Sequence, residues 1–151
     1  IVSFIGAGLL GFAHTLPQTN LYTHGTLVTA MHGHMAFWGA YAMIVLAIIS
    51  YALPNLTGRK RYDNFTGNAA FWITNIGMSG MTVAFGVAGV AQVYMERKMK
   101  MDFMEVQNEI SIHFVVLIIF AALFTSGIVM YILEFVKYGK PTDEALESVD
   151  S

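Results

Sequence analysis

The sequence predicts an all-α fold, a polytopic transmembrane helix bundle. Three stretches contain no Asp, Glu, Lys or Arg: 1–58, 64–95 and 110–133. A helix needs about 20 mostly apolar residues to cross a bilayer core of about 30 Å, so each stretch can hold one span and the first can hold two. The chain is also only 12% charged, whereas a typical soluble domain is about 25% charged. Both observations predict an integral membrane protein.

Four helical spans are predicted in chain order, at about 1–14, 26–53, 68–94 and 110–136, followed by a polar tail at 137–151. The first is too short to cross a bilayer unless it begins further upstream. We therefore expect the sequence to be the C-terminal part of one larger transmembrane domain. Pro54 is predicted to end the second span, because proline disfavours helix at the residue before it. The third span has small residues four positions apart, at Gly80, Ala84 and Ala88, which predict a close helix–helix contact.

The composition excludes several kinds of site and partner. The chain has no cysteine, which excludes disulfides, thiolate-bound metals and covalent c-type haem. Its net charge is only −2, and no basic stripe is present, so no nucleic-acid partner is expected. Any haem would be held by axial ligands and packing alone.

Basic residues predict the orientation of the spans. The loop after the second span and the C-terminal tail lie on the same side and together hold five Lys or Arg, against three in the loop at 96–109 and none at 17–25. The side with more Lys and Arg is predicted to be cytoplasmic. The second span then enters from the outer side, and His32 lies about 9 Å below that entry.

His32 and His34 are the candidate functional residues of the second span. Residues two apart on an ideal helix point about 200° apart, so this pair cannot easily bind one metal together. Each imidazole can instead reach a different flank, an arrangement that suits a helix between two haems. A polar group in a charge-free span needs some partner. Hydrogen bonds to neighbouring helices or a water-filled cavity are the alternatives.

The segment THGTLVTAMHGH at 23–34 resembles the haem-binding helix of the haem–copper oxidase superfamily. In that pattern a histidine and a threonine open the helix, and a His-x-His pair follows eight residues after the first histidine. The continuation MAFWGAYAM at 35–43 and the loop MDFMEVQ at 101–107 are most similar to the nitric oxide reductase branch. The resemblance covers nearly the whole chain and implies the last four of about twelve spans.

The resemblance implies specific ligands. His32 would be the proximal ligand of a catalytic high-spin haem b3, and His34 one of two axial ligands of a low-spin haem b. His24 would lie close to the haem propionates, with a solvated loop histidine as the alternative. The ligands of a non-haem iron and the second axial ligand of haem b would lie outside this sequence, so the fragment alone would not be catalytic.

The implied activity is reduction of two NO molecules to N2O and water in a bacterial inner membrane. The implied partners are membrane lipid, the rest of the catalytic subunit and a cytochrome c subunit that delivers electrons. An oxygen-reducing terminal oxidase of the same superfamily is the nearest alternative, and a quinol-fed reductase is another. A non-catalytic cytochrome b-type subunit, or a transporter with hydrogen-bonded histidines, would belong to different functional classes.

Overall fold

The computed structural model describes residues 2–58 and 65–139. Within these ranges the chain forms helices and no strand. Their bounds in chain order are α1 Val2–Thr15, α2 Pro17–Thr23, α3 Leu27–Leu56, α4 Phe65–Lys98, α5 Phe103–Glu109 and α6 Ser111–Tyr138. Helices α3, α4 and α6 are long and apolar enough to cross a membrane, and α1 is a shorter apolar helix. The predicted all-α polytopic bundle is confirmed.

Helices α4 and α6 form the main packing unit. Met78, Met81 and Ala84 of α4 are buried with Leu117 of α6 in one apolar core. The helices approach closely because α4 has a glycine at the contact, where a Cβ on Gly77 would lie 2.5 Å from a backbone nitrogen of α6. Small residues permit this approach in membrane helices.

The predicted small-residue contact on α4 is also confirmed. Ala84 and Ala88 are buried, and a Cβ on Gly80 would overlap the ring of Phe120 in α6. Gly80 and Ala84 therefore lie at the contact with α6, and Ala88 is buried on the same helix.

Helix α3, which carries the histidine pair, packs between α1 and α4. Its first turn lies directly on α4, where a Cβ on Gly89 would come within 2.8 Å of the carbonyl carbon of Leu27. Further along, the Met35 sulfur lies 2.7 Å from the position a Cβ would take on Gly6 of α1. The histidines lie between these two contacts.

A π-helical segment, Met35–Ala42, follows the histidines within α3. Its wider turns hold more residues per turn than the α-helix. Positions beyond His34 are therefore rotated relative to an ideal helical wheel. The sequence did not predict this segment.

The structure corrects the predicted end of the second span and the predicted connection before it. Pro54 does not end α3, which continues to Leu56 with Pro54 inside it. Thr57 stabilises the last turn, because its N–H donates to the Leu53 carbonyl at 3.0 Å and its hydroxyl lies 2.7 Å from the same oxygen. The connection at 17–25 contains the short helix α2, with Pro17 at its start, where the missing N–H costs no helical bond.

Helix α4, the third predicted span, extends past its predicted ends of 68 and 94 to Phe65 and Lys98. The basic loop at 59–64 and the tail at 140–151, on which the predicted orientation depends, lie outside the described residues.

Candidate functional site

His32 and His34 are both partly buried and face different helices. The ring of His32 meets the ring of His14 in α1 edge to face, with centroids 5.4 Å apart. The ring of His34 packs on Phe85 in α4, with centroids 4.6 Å apart. The two imidazoles thus lie on opposite flanks of α3, as the spacing of two residues requires.

A hydrogen bond to the helix backbone indicates which ring nitrogen of His34 carries a proton. Its Nδ1 lies 2.9 Å from the carbonyl oxygen of Ala30, one turn earlier. A carbonyl oxygen only accepts, so Nδ1 carries the proton and, in the neutral ring, Nε2 keeps its lone pair. This is the tautomer in which histidine commonly binds a metal through Nε2 while the other nitrogen donates to a carbonyl. In this tautomer, Nε2 of His34 is the ring atom that could bind a metal.

His34 also borders two cavities with mostly apolar walls. The first, of about 290 Å³, lies beside α3, and the second, of about 360 Å³, lies between α4 and α6. The walls of the first are Ala30, Gly33, His34, Phe37 and Trp38, and those of the second are His34, Met81, Phe85, Phe114, Leu117, Ile118 and Ala121. Apolar and aromatic walls with a single polar group are typical of cofactor sites.

His32 is in a different environment. Its Nδ1 is buried and has no hydrogen-bond partner among residues 2–58 and 65–139. An unpaired buried nitrogen costs about 1–3 kcal/mol, which favours a partner supplied from outside these residues. The Cε1–Nε2 edge of the ring faces Gly11, where a Cβ would lie 3.1 Å from Cε1 and 3.5 Å from Nε2. The absence of a side chain at Gly11 leaves space for this imidazole.

His14, near the end of α1, is the third histidine at this site. The structure places it half-buried against His32. The contact could not be predicted, because the residue spacing within α1 does not reveal which residue of α3 faces His14.

His24 lies on the exposed turn before α3. Its contact with α4 is made by the backbone, since Nη2 of Arg97 donates to the His24 carbonyl at 3.2 Å. Among the described residues, His24 makes no ring contact with His32 or His34, whose rings contact His14 and Phe85 instead. Within the described ranges, no group of three or more His, Cys, Asp or Glu is placed to hold a metal ion.

Sequence reasoning missed one functional candidate, Gln92 of α4. This residue is only 3% exposed and accepts a hydrogen bond from the Leu27 N–H, at the first turn of α3. Gln92 could have been noticed because its polar amide side chain lies in a stretch without charges, four residues before Glu96. Such spacing places both side chains on one helix face.

The fold and the site together define a polytopic helical membrane protein with partly buried histidines on both flanks of one helix. Residues 1–136 match the family described as Cytochrome C and Quinol oxidase polypeptide I. The chain belongs to this family and so to the haem–copper oxidase superfamily.

A curated relative is similar over nearly the same part of the chain. The chain is 38% identical over 148 residues to a nitric oxide reductase subunit from Stutzerimonas stutzeri. The match covers 93% of this chain and 31% of that relative. The chain thus spans about a third of the relative's length.

Proposed function

We propose that this chain forms the C-terminal part of the haem-binding core of a membrane nitric oxide reductase. The observation that carries the proposal is the histidine pair of α3. His32 and His34 point to opposite flanks, and His34 donates from Nδ1 to the Ala30 carbonyl, within a segment similar to a nitric oxide reductase subunit. An imidazole on each flank suits one haem on each side.

Each histidine has a separate role in this proposal. His34 would hold the low-spin haem b that receives electrons, and its bond to the Ala30 carbonyl orients the ring. His32 would be the proximal ligand of the high-spin haem b3. His24 would lie near the haem propionates at the outer surface. The haems would supply the redox chemistry, and the protein sets ligation and polarity around them.

The complete reaction consumes two NO, two protons and two electrons and releases N2O and water. Electrons would come from a cytochrome c subunit of the same complex. A non-haem iron opposite haem b3 would be held by residues of the catalytic subunit outside this chain, so this chain alone would not turn over. We place the complex in the bacterial inner membrane, with lipid around α3, α4 and α6.

The matched family is named for oxidases, so a terminal oxidase that reduces oxygen is the second candidate. Both candidates use a His-x-His helix. The metal beside the high-spin haem separates them, since the reductase would contain iron there and the oxidase copper.

The test uses the purified complex that contains the full-length subunit. We expect b-type haem bands in a reduced-minus-oxidised spectrum, loss of NO at an electrode and formation of N2O by gas chromatography. Metal analysis should give iron in excess of haem and no stoichiometric copper. A complex without haem bands would refute every haem function. Rapid oxygen consumption, with copper present and no NO loss, would favour the oxidase.

A further inference from the structure

We propose that Gln92 and Glu96 of α4 form a clamp that fixes the position of α3 along its axis and thereby positions His32 and His34. Gln92 is a positioning residue in this proposal, because it acts through α3 and contacts no reacting group. The role toward haem rests on the proposed function, whereas the clamp itself rests on the contacts described next.

The clamp consists of two consecutive hydrogen bonds. The N–H of Leu27 donates to Oε1 of Gln92 at 2.9 Å, and Nε2 of Gln92 donates to Oε1 of Glu96 at 2.8 Å. Gln92 is only 3% exposed, so water cannot readily replace either bond. The carboxylate of Glu96 therefore fixes the orientation of the amide that holds α3.

The first turn of α3 needs a partner from another helix. A helix begins with four N–H groups that have no partner within it, and a Ser or Thr at the N-cap usually satisfies one of them. Thr26 occupies the N-cap but its side chain makes no capping bond. Its hydroxyl donates instead to the Thr23 carbonyl at 2.7 Å. Gln92 supplies the missing cap from α4.

A second contact fixes the same turn. Gly89 lies three residues before Gln92 on α4 and lets the backbone of Leu27 and Val28 pack directly on that helix. The hydrogen bond resists sliding of α3 along its axis, and the backbone contact resists its separation from α4. Arg97, one residue beyond the clamp, adds a bond to the carbonyl of His24 just before α3 begins.

The histidines are close enough to this anchor to respond to it. Leu27–His34 is one uninterrupted α-helical segment, so His34 lies about 10 Å from the anchored N–H. No loop intervenes to absorb a displacement. A shift of Leu27 along the axis therefore moves both imidazoles by a similar amount.

The test uses the full-length subunit in its purified complex. Gln92→Leu removes both clamp bonds at similar side-chain size. The double variant Gln92→Glu with Glu96→Gln exchanges amide and carboxylate, so that both hydrogen bonds can form again with one donor reversed. Asn75→Leu is the matched control, because the Asn75 amide lies on the same helix and donates to the Phe71 carbonyl of its own helix.

Two readouts are combined, of which only the second depends on haem. Hydrogen exchange of the peptide 24–31, measured by mass spectrometry, reports whether the Leu27 N–H has lost its partner. One lost bond corresponds to about a tenfold faster exchange of that amide. The low-spin haem is followed by its electron paramagnetic resonance and its midpoint potential, at equal haem content.

We expect Gln92→Leu to accelerate exchange and to shift the low-spin signal, the double variant to restore both, and Asn75→Leu to change neither. Unchanged exchange in Gln92→Leu would overturn the clamp. Faster exchange with an unchanged haem signal would overturn the positioning role. A wild-type complex without any haem signal would instead overturn the proposed function, and the exchange result would still decide the clamp.

Discussion

Substitution of Gly89 by Ala is the sharpest test of how α3 is held against α4. A Cβ at this position would lie 2.8 Å from the Leu27 carbonyl carbon and closer still to the Val28 nitrogen. Carbon atoms pack best at about 3.5–4.0 Å, so the first turn of α3 would have to retreat by about 1 Å. Both obstructing atoms belong to the backbone, so no side-chain rotation can relieve the overlap.

The expected cost follows from two opposing effects. Overpacking of a well-packed contact costs about 1–3 kcal/mol. Replacement of a mid-helix glycine by alanine returns about 0.5–1 kcal/mol of backbone entropy. We therefore expect Gly89→Ala to lower the free energy of unfolding by about 1 kcal/mol, measured by denaturation of the full-length protein in mixed micelles with circular dichroism as the signal.

Two other glycines provide matched controls. A Cβ on Gly86, also in α4, would meet only the flexible Met31 side chain, with the sulfur at 2.7 Å, so alanine there should be nearly neutral. A Cβ on Gly8 in α1 would meet nothing within 4 Å, so alanine there should stabilise by up to about 1 kcal/mol. If Gly89→Ala were as stable as Gly8→Ala, the inferred backbone contact between α3 and α4 would be wrong.

The remaining predictions concern the histidines and the end of α3. His34→Ala should abolish the low-spin haem signal, and His32→Ala the high-spin signal; optical and electron paramagnetic resonance spectra of the purified complex measure both, and the reverse pattern would overturn the ligand assignment. Thr57→Val should destabilise by about 1–2 kcal/mol, because the Thr57 hydroxyl lies within 2.8 Å of the Leu53 and Tyr138 carbonyls. The same denaturation assay measures this loss, and an unchanged midpoint would show that neither bond contributes.

The distribution of charge predicted most of the fold. Residues 64–95 and 110–133 lack charges, and the helices α4 and α6 cover nearly all of these stretches and extend a few residues beyond them. Pro54 misled the prediction because only its local effect on the preceding residue was considered. A threonine three residues later, bonded to the last turn and to the end of α6, outweighs that effect, and the contact with α6 cannot be read from local sequence.

The directions of the two histidine side chains could be predicted from the sequence, but the neighbours of their rings could not. The spacing of His32 and His34 predicted opposite flanks, because two helical steps determine that angle. The neighbours of each ring depend on which helices pack on α3, so Phe85 and His14 could not be assigned as contacts in advance. Gln92 escaped notice for the same reason, since its partner Leu27 is 65 positions away in the chain.

The directions of the two imidazoles follow from how α3 is held on either side of the pair. Above the pair, Gly89 and Gln92 hold the first turn against α4. Below it, the π-helical segment packs on α1, where a Cβ on Gly39 would lie 3.0 Å from the Ser3 side chain. A helical segment held at two points by different neighbours has little freedom to rotate. Packing therefore sets the orientation of His32 and His34, and such preorganisation would lower the cost of binding the rigid cofactor of the proposed function.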